Sequence, residues 1–183
     1  VSNVTINSGT LSAPGSTGTF NVSGNWSKNG GSFTHNNGTV VFNSSSTTQT
    51  IGGSESTIFY NLTINNNNTD RNNIVLGVNN IQVNSILNLT KGALNLNHNT
   101  IIINNTSTTA LTRGAGTGYI YSESLSGGST TSAATPYNSV LGRVQWNIGS
   151  STGTYSFLFG KSSAILIPFI VQITNEGTVL SNG

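Results

Sequence analysis

Short groups of residues with apolar side chains at both ends recur along the first two thirds of the chain. Between Asn72 and Asn105 there are five such groups, separated by polar residues and glycine: Ile74-Val75-Leu76, Ile81-Gln82-Val83, Leu87-Asn88-Leu89, Leu94-Asn95-Leu96 and Ile101-Ile102-Ile103. A period of two over three to five residues is typical of short β-strands, and no segment has a helical period. The pattern therefore predicts an all-β chain of very short strands.

These groups also repeat over a longer distance. They begin about seven residues apart, and every third one returns after about 20 residues, as from Ile74 to Leu94, from Leu62 to Ile81 and from Ile81 to Ile101. Such a repeat predicts a parallel β-solenoid (β-helix) of about 20-residue coils. One coil alone cannot bury its apolar residues, so we expect Leu62, Ile81 and Ile101 to stack on one another.

Turn-forming residues separate the predicted strands. Asn36-Asn37-Gly38 predicts a hairpin or tight turn between two alternating groups. The segment 58–64 predicts the strongest aromatic strand, and 65–68 predicts a corner that contains an insertion. We expect asparagines at the corners to hydrogen-bond to equivalent asparagines one coil away.

The pattern changes after Thr112 and divides the chain into three parts. Residues 1–112 are predicted to form the solenoid repeats, 113–135 a Gly/Ser/Thr-rich bend and loop, and 136–183 a C-terminal antiparallel β cap, small sandwich or assembly segment. Within the last part, 164–174 is apolar on both faces, which predicts a strand that is covered on both sides. A cap at this end would cover the unpaired edges of the last coil.

Composition narrows the class of protein. Asn, Ser, Thr and Gly make up more than half of the chain, and charged residues make up 5%, against about a quarter in ordinary domains. Frequent β-branched and aromatic residues favour ordered β-structure over disorder. The net charge of +2 comes from scattered single residues, so the basic patch that nucleic-acid binding needs is missing from the sequence.

Further features of the sequence concern disulfides, metal sites, membrane spans and signal peptides. It has no cysteine, which excludes disulfides and thiolate metal sites. The longest apolar run, 164–173, is too short to span a bilayer and contains Pro168, so no membrane span is predicted. No signal peptide is visible at Val1, so either one was removed or these residues are a piece of a longer chain.

Residues that could carry chemistry are few. Glycoside hydrolysis needs two carboxylates on opposite sides of one bond. The four acidic residues are scattered, and solvated positions in loops account for them: Glu55, Asp70, Glu123 and Glu176. We predict no catalytic residue, no cofactor and no enzyme activity.

Two other candidate sites have simpler explanations. His35 and His98 both lie beside Asn-rich turns, and we expect them to be turn residues rather than metal ligands. Gly149-Ser150-Ser151-Thr152-Gly153 matches G-x-S-x-G, but strand-like residues follow where that motif requires a helix. No metal site is predicted.

Four strings of residues resemble repeats in very large secreted or surface proteins of Bacteroidetes-type bacteria and uncultivated bacterial lineages. The strings are Gly24-Asn25-Trp26-Ser27, residues 31–42, Thr48-Gln49-Thr50-Ile51 and residues 59–65. The likeness covers roughly residues 4–105 well and the remainder loosely. Where the usual C-terminal pattern is Phe-Pro-Val-Gly, this chain has Phe157-Leu158-Phe159-Gly160. The resemblance implies an adhesin-like β-protein of the cell surface, without known catalytic residues.

We therefore expect a non-enzymatic, extracellular structural module of a bacterial surface fibre or adhesin. Its expected partners are other copies or neighbouring modules of the same protein, joined by strand or end-to-end contacts. The candidate assembly strand is apolar at alternate positions: Ile165, Ile167, Phe169, Val171 and Ile173.

A solenoid that binds or acts on carbohydrate is the main alternative. Exposed aromatic side chains would supply the glycan contacts, and the candidates are Trp26, Tyr60, Tyr119, Tyr121 and Tyr137. A phage fibre segment and an ice-binding solenoid are further alternatives. Ice binding would need a regular threonine ladder, and the Thr-x-Thr pairs do not recur at a constant interval.

Overall fold

The computed structural model describes residues 1–68, 73–77, 79–122, 142–162 and 164–174. These residues form strands and turns, and no helix occurs among them. In chain order the strands are β1 (Val4–Ile6), β2 (Thr10–Ser12), β3 (Thr19–Val22), β4 (Trp26–Lys28), β5 (Ser32–Thr34), β6 (Thr39–Phe42), β7 (Gln49–Gly52), β8 (Thr57–Phe59), β9 (Asn61–Asn65), β10 (Ile74–Leu76), β11 (Ile81–Val83), β12 (Leu87–Lys91), β13 (Ala93–Asn95), β14 (Thr100–Ile103), β15 (Leu111–Thr112), β16 (Tyr119–Tyr121), β17 (Arg143–Trp146), β18 (Gly153–Phe157), β19 (Gly160–Ser162), β20 (Ile165–Leu166) and β21 (Phe169–Ile173).

The first 17 strands wind into a parallel β-solenoid, which confirms the predicted fold class. Each coil contributes one strand to each of three sides, and strands on a side pair in parallel with those of the next coil. The first side is β1-β4-β7-β10-β13-β16, and the third side is β3-β6-β9-β12-β15. The second side consists of two separate sheets, β2-β5 and β8-β11-β14-β17.

Coil length is less regular than the sequence pattern indicates. The 20-residue separations are confirmed for Ile74 with Leu94 and for Ile81 with Ile101. Across the other pairs the separation is 20 to 26 residues, as for Thr19 with Thr39 and Ala93 with Tyr119, except that β14 and β17 are 43 residues apart. The typical spacing is about 24 residues. The corners absorb these differences, so the strands stay in register.

The predicted stacking of Leu62 on Ile81 is wrong. Leu62 lies on the third side and pairs with Val40 and Leu87, whereas Ile81 lies on the second side. The two residues are 19 positions apart in a region where the true coil spacing is 24 to 25. Apolar groups on different sides have the same sequence pattern. The 19-residue spacing therefore wrongly suggested that Leu62 and Ile81 stack on each other.

Stacked aliphatic and aromatic side chains fill the interior. On the third side the inward ladder is Val22, Phe42, Ile64 and Leu89, and each of these residues is completely buried. Alternate residues of the same strands face outward, as expected for the pleat of a β-strand. The core is therefore continuous along the stack, and no single coil has a core of its own.

Asparagine side chains join successive coils at the corners. The Asn29 amide donates to Asn7 Oδ1 at 2.9 Å, which confirms a contact between equivalent asparagines. More often the side chain bonds the backbone of the next coil: Asn3 Oδ1 accepts from Asn25 N–H at 2.7 Å, and Asn25 Oδ1 accepts from Thr50 N–H at 2.8 Å. These bonds satisfy backbone groups that the turns would otherwise leave unpaired.

The corner after β9 contains a buried polar network. Asn66 and Gln49 are completely buried, and Asn66 Nδ2 donates to Gln49 Oε1 at 3.0 Å. Gln49 Nε2 in turn donates to the carbonyls of Val22 and Gly24. The amide groups thus replace strand pairing at an irregular corner, since buried polar groups must be hydrogen-bonded. Residues 69–72, which follow this corner, lie outside the described residues.

The Asn36-Asn37-Gly38 segment forms a tight turn, with φ of 48° at Asn36 and 58° at Asn37. It is a solenoid corner and not a hairpin, because it joins β5 on the second side to β6 on the third. The aromatic segment 58–64 is likewise divided by a corner at Tyr60 into β8 and β9.

Parallel strands continue past residue 112, where the repeats were predicted to end. β16 pairs with β13, and β17 pairs with β14. Stacked strands therefore extend to Trp146. The Ser/Thr/Gly-rich stretch predicted as a loop lies outside the described residues, apart from 113–122.

Two antiparallel strand pairs follow, as predicted for a C-terminal cap. β18 pairs with β21, and β19 pairs with β20. Tyr155 is buried, its hydroxyl donates to the Thr106 carbonyl at 2.8 Å, and its ring packs edge-on against Trp146. Ile120 forms a parallel bridge with Phe159. These contacts hold the strand pairs against the last coils.

The prediction of one strand over 164–174 that is covered on both sides is wrong. The segment forms two strands, β20 and β21, with Pro168 between them. Phe169 and Ile170, on opposite faces of β21, are 61% and 58% exposed. The sheet of β18 and β21 packs against Trp146 through Tyr155 and Phe157, whereas apolar side chains of β21 such as Phe169 and Ile170 stay largely in solvent.

Candidate functional site

The predicted glycan contacts do not form one site. Trp26 is 1% exposed and lies in the core, where its Nε1–H donates to Thr57 Oγ1 at 3.0 Å, and Tyr119 is 3% exposed. Neither can act as an exposed platform, so the prediction is wrong for both. Trp26 packs among Phe33, Phe42 and Phe59, as aromatics of β-proteins commonly do.

The two remaining described candidates lie far apart in the chain. Tyr60 is half-buried at the corner between β8 and β9, and Tyr121 is half-buried at the end of β16. Tyr121 borders a depression of about 410 Å³ with Phe159, Lys161 and Ile167. Tyr137 lies outside the described residues.

A groove opens where the second side of the solenoid is interrupted. β5 pairs with β2, and β8 pairs with β11, but no strand pairing among the described residues joins β5 to β8. The groove has a volume of about 430 Å³ and is lined by Phe33, Thr34, His35, Asn36, Ile58 and Asn84. We call it the β5–β8 groove.

Aromatic rings occupy the interior at this interruption. The Phe33 and Phe59 ring centroids are 5.9 Å apart, and both rings pack against Trp26. Phe33 is only half-buried, so part of the apolar cluster is accessible from the groove.

His35 is held in one orientation at the wall of the groove. Its Nδ1 accepts a hydrogen bond from Asn37 N–H at 3.1 Å, and its ring lies beside that of Tyr60 with centroids 5.4 Å apart and an angle of 32° between the planes. The neutral imidazole therefore carries its proton on Nε2. His98 is an exposed turn residue with φ of 68°, as predicted.

Ionisable groups contribute little to this part of the molecule. Glu55 is the single carboxylate side chain in the described ranges, and it forms an ion pair with Lys28. Across those same ranges no three His, Cys, Asp or Glu side chains come together as a metal would require. The candidate carboxylates Asp70, Glu123 and Glu176 lie outside them.

Four of the predicted assembly residues lie on β20 and β21, and Ile167 lies between these two strands. Ile165, Ile167 and Phe169 are 50%, 61% and 61% exposed, whereas Val171 and Ile173 are half-buried. Ile170, which the alternating pattern omits, is 58% exposed. The apolar surface therefore includes both faces of β21 near its start.

The Thr-x-Thr pairs lie on separate elements. Thr50 lies in β7 and Thr154 in β18, whereas Thr106 and Thr108 lie outside the strands. They form no common ladder. The G-x-S-x-G match ends at Gly153, the first residue of β18, so a strand follows it as expected.

Comparison with known proteins identifies no similar protein. No protein-family model matches the chain, and neither a curated protein nor a solved structure shows significant similarity to it. Among the described residues there is no helix long and apolar enough to cross a membrane.

The sequence pattern did not reveal the β5–β8 groove. Phe33 and Ile58 occur in unremarkable alternating strands, and the interruption between those strands becomes visible only when the pairing partners are known. A weak signal exists, because the residue separation between paired strands rises from 22 at Val4 and Trp26 to 25 at Trp26 and Ile51.

Proposed function

We propose that this chain is a non-enzymatic, extracellular structural module of a bacterial surface fibre or adhesin. It associates with other copies or neighbouring modules of the same protein through β20 and β21. The observation that carries the proposal is the exposed apolar surface of these two strands and of Ile167 between them.

That surface is concentrated in a few residues. Of the seven large hydrophobic residues that are exposed among the described positions, four lie between residues 165 and 170: Ile165, Ile167, Phe169 and Ile170. Soluble monomers rarely expose large contiguous apolar patches, which usually mark interaction sites. Burial of these side chains against a partner would stabilise the association.

Backbone geometry favours strand addition as the mode of contact. Among the described residues, β21 has one hydrogen-bonded neighbour, β18. An edge strand offers N–H and C=O groups to any extended segment that comes alongside. Pairing through this edge would join modules by backbone hydrogen bonds, with the apolar side chains adding affinity.

The solenoid has the properties expected of a spacer between modules. Stacked coils form an extended element in which each coil contacts its neighbours. The chain carries six Lys and Arg residues in 183, so trypsin-like proteases find few sites. The resemblance of residues 4–105 to repeats of bacterial surface proteins supports the proposed location.

Association can be tested on the purified chain. Light scattering coupled to size exclusion, over a range of concentrations, and negative-stain electron microscopy should show masses above 19.0 kDa or filaments. The double variant Ile167→Lys/Phe169→Lys should remain monomeric, because each lysine places a charge in the contact. Ile86→Lys is the matched control, since Ile86 is 40% exposed on the solenoid.

Two results would contradict the proposal. One is a wild-type chain that stays monomeric at every concentration. The other is association of the double variant as strong as that of wild type. If Ile86→Lys abolishes assembly and the double variant does not, the contact lies on the solenoid instead.

A further inference from the structure

We propose that the β5–β8 groove binds a neutral saccharide. This goes beyond the structural role, and it involves residues that are distant in sequence from β20 and β21. The groove is an open depression of about 430 Å³ between two strands that lack pairing with each other. That volume falls in the range of small-molecule pockets, about 300–1,000 Å³.

One part of the wall is apolar. Phe33 is half-buried, Ile58 is 45% exposed, and the His35 ring is supported by Tyr60. A pyranose ring has a face of C–H groups that packs against such surfaces. Most ligand sites combine apolar walls of this kind with a small number of fixed polar groups.

Polar atoms on the same wall are held in place. Asn36 Nδ2 donates to the Ala13 carbonyl at 2.8 Å, and Asn84 Oδ1 accepts from Gln82 Nε2 at 2.7 Å. These bonds leave Asn36 Oδ1 as an acceptor and Asn84 Nδ2 as a donor. With His35 Nε2–H, the groove presents both kinds of partner that a sugar hydroxyl needs, since a hydroxyl donates and accepts.

The lack of charged residues in the lining favours an uncharged saccharide. The six lining residues include no Lys, Arg, Asp or Glu, so nothing in the lining compensates the charge of a uronate or sulfate. A peptide strand fits less well, because β5 and β8 are each three residues long and offer few backbone groups. A neutral oligosaccharide is therefore the favoured ligand.

Binding can be measured with the full chain. An array of neutral oligosaccharides built from glucose, galactose, mannose or xylose, with uronate and sulfated oligosaccharides beside them, identifies the ligand, and calorimetry gives its affinity. Ile58→Lys should abolish binding by blocking the groove. Asn84→Ala should weaken it about tenfold, as expected for one lost hydrogen bond.

Each variant has a matched control. Ile102→Lys alters an outward residue of β14 on the same side of the solenoid, outside the groove. Asn147→Ala removes the side chain that accepts from Gln145 Nε2 at 2.9 Å, as Asn84 accepts from Gln82. Both controls should bind like wild type. Circular dichroism and thermal unfolding confirm that every variant is folded.

Three results would overturn the proposal. The first is that no neutral saccharide binds at millimolar concentration. The second is that only charged saccharides, or extended peptides, bind. The third is that Ile58→Lys binds as well as Ile102→Lys. None of these results bears on association through β21, which is measured separately.

Discussion

The solenoid and the C-terminal strand pairs contain similar apolar side chains in very different surroundings. On the third side of the solenoid, Leu62, Ile64 and Leu89 are completely buried, whereas Ile167 and Phe169 are each 61% exposed. On the first and third sides, the inner strands have hydrogen-bonded neighbours on both edges and face the other sides across the core. β21 has one described neighbour, and its sheet packs on the solenoid through Tyr155 and Phe157, whose rings contact that of Trp146. Burial therefore follows from stacking, and an apolar strand without stacked neighbours remains exposed.

The largest expected effect comes from truncating one apolar residue in each region. Leu62→Ala should lower the free energy of unfolding by about 3 kcal/mol, because it leaves a cavity in a completely buried ladder. Ile170→Ala should change it by less than about 0.5 kcal/mol, since that side chain is already largely in solvent.

Denaturant unfolding followed by circular dichroism measures both variants. The comparison fails if the two substitutions destabilise the monomer equally. Measurements at low protein concentration are needed, because association through β21 would add to the apparent stability.

A smaller effect is expected at the corners. Asn25→Ala removes the acceptor for Thr50 N–H and should cost about 1 kcal/mol. Asn88→Ala is the control, because Asn88 faces outward from β12 and its side chain has no hydrogen bond to another described residue. It should cost less than about 0.5 kcal/mol. Equal losses would show that the corner asparagines contribute no more than ordinary surface residues.

Local patterns predicted the strands well and the pairing only in part. Alternation in 39–42 and 81–83 identified β6 and β11, and the separation of 20 residues joined Ile81 correctly to Ile101. The same reasoning misplaced Leu62, because corner lengths vary from coil to coil and apolar groups on different sides are alike. Pairing depends on those lengths, which alternation within a strand does not encode.

The candidate sites were predicted less well for the same reason. Ile167 and Phe169 are exposed because no described strand covers β21, whereas a buried strand has the same apolar pattern. Prediction of the β5–β8 groove requires knowing that β5 and β8 do not pair. Tyr60, whose ring lies beside His35 at this groove, was among the predicted glycan contacts. Trp26 was misassigned because an aromatic side chain at a strand start looks the same whether it faces the core or solvent.

A cross-link between β9 and β12 is the most direct test of the solenoid, because the pairing of these strands fixes the length of their coil. Thr63 and Asn88 are paired outward residues, and Cα atoms on adjacent strands are about 5 Å apart, within the range that a disulfide spans. The chain has no cysteine of its own. We predict that Thr63→Cys/Asn88→Cys forms an intramolecular disulfide on mild oxidation, detected by peptide mass spectrometry, and that Thr63→Cys/Gln82→Cys does not. A disulfide in the second variant and none in the first would contradict this account, because it would place Leu62 opposite Ile81 in a shorter coil.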